Sequence, residues 1–278
     1  MTAPPLTYYG AKTRVADKIA ALLPDHRHYV EPFAGSLAVL LAKPRSHMET
    51  VNDLDQHLVT FWRVLRDQPA ELETAMRLTP HSRAEYAASA DLDAGDDVEV
   101  ARRVWVQLTQ GRGGTLRNTG WRFYRDPGGS NMGMPGYLAA YASRVPAAAQ
   151  RLAGVSLECR DALDVIREYG RHDKCLLYCD PPYLGSTRET NYRHEMVTDA
   201  DHEALAAALH DCSAAVVLSG YASPLYADLY RDWCRVDVRS WTGNGIGVGK
   251  TAADGDRVEV LWSNRRIGDP DLFDGSTP

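Results

Sequence analysis

The sequence has 278 residues, of which 44% are hydrophobic and 24% are charged, a composition typical of a globular chain that can bury a full core. The formal net charge of −6 argues mildly against a general attraction to nucleic acid, whose phosphates require Lys and Arg. The chain has no apolar run near the roughly 20 residues that cross a bilayer, no signal-peptide pattern, and five cysteines without a CxxC pair. These features argue against membrane and disulfide-rich classes, and we expect a cytoplasmic protein with free thiols.

The first motif is Tyr8-Tyr9-Gly10-Ala11-Lys12, which comes directly before an apolar helical pattern that stops at Pro24. Thr13 is a fair N-cap for this helix. Gly10 would let the backbone approach a ligand closely, and Lys12 would offer a cation near a helix start. An ordinary loop before a helix explains the same residues equally well.

A strand, a tight turn at Gly35 and a helix beginning near Leu37 are predicted next. This succession is how α/β folds hold a nucleotide-like ligand, although a dinucleotide fingerprint would need more glycines. The following strand ends in two acids, Asp53 and Asp55. Asp53 lies 18 residues after Gly35, near the spacing of about 20 at which an acid holds a ribose diol. Asp55 could instead cap the next helix.

Residues 61–151 break this pattern and are too long for a βαβ connection, so we predict an inserted domain between catalytic segments 1–60 and 152–278. Helical periodicity covers residues 70–76, 82–90 and 98–108, and residues 111–136 are glycine-rich. Residues 111–125 contain no acid, and aromatic rings are interleaved with arginines, which favours local contact with a polyanion or, equally, a solvated loop. These arginines are Arg112, Arg117, Arg122 and Arg125.

The α/β alternation resumes at residue 155, with Asp161 between a strand and a helix at 162–169. The apolar run at 174–180 does not alternate, so it predicts a buried parallel strand. Its end carries Asp180-Pro181-Pro182-Tyr183, whose prolines stop the strand at the sheet edge where α/β folds bind ligands. We further predict a helix capped by Asp199, an apolar strand at 214–220, and an antiparallel hairpin formed by 236–241 and 258–262.

Three other catalytic signatures are absent or incomplete. Gly249-Lys250-Thr251 resembles the end of a phosphate-binding loop, but Asn244 stands where that motif needs its first glycine. The sequence has no GxSxG elbow. Its nine histidines show no metal-ligand spacing, so we expect no metal.

Together these residues resemble the Dam-type (D12 class, alpha-group) adenine-N6 DNA methyltransferases, whose catalytic motif is DPPY. Five matches occur in the family's order, with an insertion before the catalytic motif. Many members carry another glycine at the position of Leu37, so this chain departs from them beside the cofactor turn. The matching segments are Tyr8-x-Gly10-x-Lys12, Glu31-Pro32-Phe33-Ala34-Gly35, Asn52-Asp53, Asp180-Pro181-Pro182-Tyr183 and Glu259-Val260-Leu261-Trp262-Ser263-Asn264.

The resemblance implies an α/β class I S-adenosylmethionine-dependent methyltransferase, Rossmann-like, with a seven-stranded mostly parallel sheet and a C-terminal antiparallel hairpin. The insertion would be a mainly helical target-recognition domain, and the partner double-stranded DNA, bound by a monomer or weak dimer. Arginines of residues 111–125 would contact phosphates or guanine edges. Asp161 is equally well explained as a helix cap. The implied cofactor residues are Tyr8, Gly10, Lys12, Phe33, Gly35, Asp53, Asp161 and Asp180.

The DPPY residues suit methyl transfer to an exocyclic amine, whose lone pair is delocalised into the ring. Acceptance of both N–H groups by the Asp180 carboxylate and the Pro181 carbonyl would free that lone pair without a covalent intermediate. Pro182 would stiffen the turn, and Tyr183 would stack on the flipped base. Cytosine N4 or an RNA base could serve as target instead. A non-catalytic DNA-binding module is a further alternative, although every polar group that the reaction needs is present.

Overall fold

The computed structural model describes residues 2–124, 133–183, 196, 198–239 and 258–268. Its strands form one sheet and lie close to the predicted positions, although the sixth begins two residues before the predicted start at 236. They are β1 (His28–Glu31), β2 (Met48–Asn52), β3 (Ser156–Glu158), β4 (Cys175–Cys179), β5 (Ala215–Gly220), β6 (Cys234–Arg239) and β7 (Val258–Ser263).

Helices cover the faces of the sheet, and none in the described ranges is long and apolar enough to cross a membrane. They are α1 (Ala16–Leu22), α2 (Ala38–Ala42), α3 (Gln56–Asp67), α4 (Pro69–Leu78), α5 (Arg83–Ala88), α6 (Asp97–Gln110), α7 (Gly133–Ala142), α8 (Val145–Leu152), α9 (Ala162–Tyr169), α10 (Asp199–His210) and α11 (Pro224–Leu229). The predicted helices α4, α5 and α6 are present, whereas α7, α8 and α11 were not predicted.

The seven strands lie in the order β3-β2-β1-β4-β5-β7-β6. Neighbouring strands from β3 to β5 are parallel, and β7 is antiparallel to both β5 and β6. This arrangement confirms the predicted mostly parallel sheet with an antiparallel C-terminal pair. The turn-rich residues predicted to join that pair lie outside the described residues.

The central strand β4 is buried on both faces, which explains why its apolar residues do not alternate. Leu176 and Tyr178 pack into one core, while Leu177 and Cys179 pack into the other. The first of these cores continues without a break into helices α3, α4, α6 and α8. Residues 61–151 therefore share a core with the sheet, and the boundaries of the inserted domain stay a prediction.

The helix starts correct two of the predicted caps. Thr13 is not the N-cap of α1, because the Val15 N–H donates to the Lys12 carbonyl (2.9 Å) in a turn that delays the helix until Ala16. Asp199 is the first residue of α10, and Thr198 caps it in a reciprocal capping box with Asp201.

The turn after β1 has a left-handed backbone at Leu37, a residue that is not glycine. Leu37 adopts φ 54° and ψ 28°, and its side chain is fully buried. Left-handed geometry strains any residue with a Cβ but not glycine. The turn is therefore left-handed at a residue whose side chain fills the core.

Replacing Leu37 with alanine is expected to lower the free energy of unfolding by about 2–5 kcal/mol, because a buried side chain is lost while the strain stays. Leu37→Gly removes the same side chain and also the strain, so we expect it to be about 1 kcal/mol more stable than Leu37→Ala. Urea unfolding of both variants measures the difference. A glycine variant less stable than the alanine variant would show that Leu37 is not strained.

Glu49, on β2, is a buried carboxylate that joins the sheet to α8. Arg151 donates to its two oxygens at 2.5 and 2.8 Å, and Lys43 Nζ donates at 2.8 Å. Burial by itself would raise the pKa of Glu49, but the hydrogen bonds from Arg151 and Lys43 outweigh it and lower the pKa. The carboxylate is thus held in its charged form between two cations.

Candidate active site

The carboxyl ends of β1, β2 and β4, together with the N-terminal loop, enclose a cavity of about 310 Å³. Parallel strands end at the same edge of a sheet, so residues far apart in sequence meet there. Every residue predicted to bind the cofactor lines this cavity, although their roles stay predictions. The lining includes Tyr8, Gly10, Lys12, Phe33, Gly35, Asp53, Asp161 and Asp180, and also Pro182.

The glycine turn and Tyr8 form one wall of the cavity. Gly35 has φ +47°, which favours glycine, and a Cβ added there would lie 3.2 Å from Cε1 of Tyr8, so the ring would have to move by a few tenths of an ångström. The Gly35 N–H donates to Asp53 Oδ2 and the Asp55 N–H to Asp53 Oδ1, each at 3.0 Å. The Asp53 carboxylate is therefore oriented by the backbone of the turn.

Asp161 and Asp55 both cap helices at the edge of the cavity. Asp161 Oδ1 accepts from the Leu163 N–H at 2.8 Å and so caps α9. Asp55 accepts from the first turn of α3, as predicted. Asp161 also lies in the cavity wall, so its capping role is compatible with the predicted contact to a cofactor.

Lys12 and Asp180 form an ion pair in the cavity wall, in which Lys12 is buried and Asp180 is partly exposed. Lys12 Nζ lies 2.6 Å from Asp180 Oδ1, 2.5 Å from the Tyr183 hydroxyl and 3.2 Å from the Gly10 carbonyl oxygen. Lys12 is only 4% exposed. Burial would lower the pKa of Lys12, but the negative charges of Asp180 and Glu259 raise it above its ordinary value, so the ammonium form persists.

Asp180 is also held from β5 by a residue that sequence did not indicate. The buried Ser219 hydroxyl donates to Asp180 Oδ1 at 2.9 Å and lies 3.1 Å from the Tyr178 hydroxyl. A serine next to the end of an otherwise apolar strand is the one local signal that could have pointed to it. These contacts orient the carboxylate before any substrate enters.

Glu31, at the end of β1, is a second cavity residue outside the predicted set, although it belongs to the cofactor motif. Its Oε1 accepts from the Tyr29 hydroxyl at 2.5 Å and from the Leu40 N–H at 2.9 Å. Burial raises the pKa of Glu31 to about 8, despite these two hydrogen bonds. The group is therefore mainly protonated at neutral pH.

Tyr183 is stacked on Tyr221, which follows β5. The two ring centroids are 4.4 Å apart, and the planes differ by 23°. Tyr221 is partly exposed and was not predicted, since nothing in its local sequence marks it. The pair forms a flat aromatic surface beside Asp180.

Of the four predicted DNA-binding arginines, the three that the structure describes, Arg112, Arg117 and Arg122, are not among the residues that line the cavity. Arg112 is exposed and Arg117 is partly exposed. Arg122 donates to the hydroxyls of Tyr124 (2.9 Å) and Tyr137 (3.0 Å), so its guanidinium group organises the aromatic residues around it. Arg125 lies outside the described residues.

A further arginine from α5 joins this basic and aromatic region. The guanidinium group of Arg83 lies 4.7 Å from the centre of the Trp121 ring, and the His81 ring is stacked on Trp121 at 4.4 Å. Arg83 precedes the arginine-rich stretch by many residues, so composition alone did not connect the two. The tertiary fold therefore extends the basic surface beyond residues 111–125.

The arginine-bearing loop is attached to the cavity by the N-terminal segment. The Tyr9 N–H donates to the Gly114 carbonyl at 2.8 Å, and the Thr7 hydroxyl donates to the Leu108 carbonyl at 2.5 Å. A Cβ on Gly114 would lie 3.4 Å from the backbone of Tyr8. The loop and the wall that contains Tyr8 are thus in direct contact.

The strand order, with its antiparallel seventh strand and a cavity at the carboxyl edge, is that of the class I, Rossmann-like methyltransferases. A family model described as D12 class N6 adenine-specific DNA methyltransferase matches residues 8–107 and 140–242. The chain belongs to this family. It is an adenine-specific DNA methyltransferase, which uses a methyl donor of the S-adenosylmethionine type, and the family supports adenine N6 over the alternative targets. The residues between the matched segments include the four arginines.

Other comparisons add little. No significant match was found among curated proteins. One similar solved structure is the crystal structure of precorrin 8w decarboxylase from Methanobacterium thermoautotrophicum, with 9% identity, a TM-score of 0.38, and coverage of 97% of this chain and 96% of that one. A TM-score this low carries no weight for fold or function.

Proposed function

We propose that Asp180, Pro181, Pro182 and Tyr183 carry out the methylation of adenine N6, with S-adenosylmethionine as the donor and an adenine flipped out of double-stranded DNA as the acceptor. The main support is the position of the Asp180 carboxylate. It lies at the end of β4, is oriented by Lys12 and Ser219, and faces the cavity that the predicted cofactor residues line.

The cavity residues fit the parts of S-adenosylmethionine. Asp53 would accept from the ribose hydroxyls, Asp161 from the adenine amino group, and Phe33 would contact the apolar part of the cofactor. Tyr8, Gly10, Lys12 and Gly35 complete the wall. S-adenosylmethionine, when bound, supplies an electrophilic methyl group. The residues of this chain then have to orient the amine and exclude water.

At the target amine, the Asp180 carboxylate and the Pro181 carbonyl would each accept one N–H hydrogen bond. Two such bonds draw the nitrogen towards tetrahedral geometry and make its lone pair available. The nitrogen becomes acidic only after it gains the methyl group, so Asp180 need not be a strong base beforehand. Tyr183, supported by Tyr221, would stack on the extruded base.

Transfer of labelled methyl groups from S-adenosylmethionine to unmethylated duplex DNA and, in a parallel reaction, to RNA, followed by digestion to nucleosides, tests this proposal. We expect the label in N6-methyladenine. Label in N4-methylcytosine, label only on RNA, or no transfer to any nucleic acid would contradict it. Single-molecule sequencing of DNA from cells that express the protein would identify the recognition sequence.

Arg112, Arg117, Arg122 and Arg125 are proposed to bind DNA, and Arg112 is the most direct test because it is exposed. Arg112→Ala should weaken DNA binding and, if it removes one phosphate contact, reduce the salt slope by about one unit. Fluorescence anisotropy at several salt concentrations measures both quantities. Arg167→Ala, an exposed arginine on α9, is the matched control. Equal effects of the two variants would show that Arg112 is not a DNA contact.

A further inference from the structure

Lys12 has two acidic neighbours in the buried site but is hydrogen-bonded to only one of them. Its Nζ lies 2.6 Å from Asp180 Oδ1 and 3.6 Å from Glu259 Oε1, the second distance being too long for a hydrogen bond. Lys12 thus occupies one oxygen, Oδ1, of the carboxylate that is proposed to contact the target amine.

Glu259, on β7, is incompletely partnered. Its side chain is 9% exposed. Its Oε1 is buried and has no hydrogen-bond partner within the residues that the structure describes. Lys12, at 3.6 Å, is an ionic neighbour of this oxygen but does not donate a hydrogen bond to it. A buried carboxylate oxygen without a hydrogen bond costs free energy, so this arrangement favours a second state in which the oxygen gains a donor.

Binding of the target amine would make such a donor available to Glu259, because the amine and Lys12 compete for Asp180. Asp180 Oδ1 already accepts from Lys12 and Ser219, and an adjacent ammonium group neutralises the carboxylate. A neutralised carboxylate is a weaker acceptor for the N–H groups of an incoming amine. Because Lys12 is buried, its ammonium group cannot simply move into water and needs another anion within reach.

We propose that Glu259 is a positioning residue that receives the Lys12 ammonium group from Asp180 when the target amine enters. The inference rests on the proposed role of Asp180. Movement of Nζ by about one ångström would bring it within hydrogen-bond distance of Glu259 Oε1. Asp180 would then lose the hydrogen bond from Lys12 and keep the one from Ser219, so its carboxylate becomes a stronger acceptor for the amine, while the buried ammonium group keeps a counter-ion.

The surroundings of Glu259 make this exchange sensitive to pH. Burial raises the pKa of Glu259 to about 7, with Lys12 lowering and Asp180 raising it. A protonated Glu259 has no negative charge and cannot receive the Lys12 ammonium group. The methylation rate should therefore rise as pH increases through about 7. On β6 the residue opposite Glu259 is Val238. The charged neighbours of Val238 on β6 therefore point to the opposite face of the sheet from Glu259. The groups that face Glu259 are Lys12, Asp180 and Tyr178; the flanking β6 charges are Asp237 and Arg239.

Glu259→Gln is the principal test, measured as single-turnover methylation of unmethylated duplex DNA with saturating S-adenosylmethionine. We expect a rate about tenfold lower, the size of a typical coupling between neighbouring charged groups. The rise in rate near neutral pH should disappear, while cofactor affinity and urea stability change little. Glu259→Asp keeps the charge, so it should retain the pH step and recover part of the rate. Asp237→Asn, an exposed carboxylate on β6, is the matched control.

A comparison of single and double variants tests whether Glu259 acts through Lys12. If Glu259 acts through Lys12, adding Glu259→Gln to Lys12→Met should cause no further loss of rate, whereas independent effects would multiply. If the wild-type protein methylates no adenine, the proposed function fails. If the wild type methylates adenine and Glu259→Gln has an unchanged rate and pH profile, Lys12 stays on Asp180 and only this inference is wrong.

Discussion

Replacing Asp180 with asparagine is expected to reduce the rate of adenine methylation by about 100-fold or more, the usual cost of losing one transition-state hydrogen-bond partner. The amide has almost the same shape as the carboxylate but lacks its negative charge. It would also lose the ion pair with Lys12 that the folded site now contains. The effect should therefore fall on the rate of transfer, while binding of S-adenosylmethionine is retained.

Single-turnover methylation and equilibrium binding of S-adenosylmethionine separate these two effects. Asp173→Asn, an exposed change at the other end of the central strand, is the matched control and should methylate normally. A normal rate for Asp180→Asn would rule out the proposed mechanism. If Asp180→Asn lost only cofactor binding, Asp180 would instead be assigned to binding the cofactor and not the target amine.

Glu49→Gln is expected to lower the free energy of unfolding by about 3–5 kcal/mol, because it leaves Lys43 and Arg151 buried without their shared anion. Both cations are buried, and both donate to this carboxylate. Asp164→Asn removes an exposed ion pair with Arg167 and serves as the control, with little change expected. Urea unfolding at neutral pH measures both variants. A loss no larger than that of the control would show that the buried ion pairs do not stabilise the fold.

The lowered pKa of Glu49 predicts how the free energy of unfolding depends on pH. The pKa of Glu49 is lower in the folded protein than its ordinary value of 4.5, so the folded state binds fewer protons. The stabilisation by Glu49 is present above pH 4.5 and is lost as pH falls through the lower, folded pKa. Glu49→Gln should therefore show a shallower loss of stability in acid than the wild type.

Local sequence determined the strands and the edge of the sheet at which the site lies. The apolar runs at β4 and β5 fit strands that are buried on both faces, and the prolines after Asp180 end β4 where its carboxylate reaches the cavity. The glycine turn and the acid 18 residues later also lie in contact, since the Gly35 N–H donates to Asp53. These features follow from backbone geometry and burial, which a short stretch of residues already specifies.

The caps were predicted less well, because neighbouring residues compete for the same backbone donors. Asp199 and Thr198 are both good caps, and the reciprocal bond with Asp201 decides for Thr198. Leu37 is a different case, since its left-handed backbone is acceptable only because the core accommodates its side chain. That compensation is tertiary and has no local signature.

The DPPY motif, the order of the motifs and part of the cavity lining were readable from the sequence by itself, although Glu31 was not among the predicted residues. Only the tertiary structure decided which side chains act on Asp180. Lys12 is separated from Asp180 by 168 residues and Ser219 by 39, and Glu259 comes from the seventh strand. Such contacts depend on strand order and on the reversal of β7, which bring distant side chains into one buried volume. A local pattern records which residues are buried, but the fold determines which charges they meet.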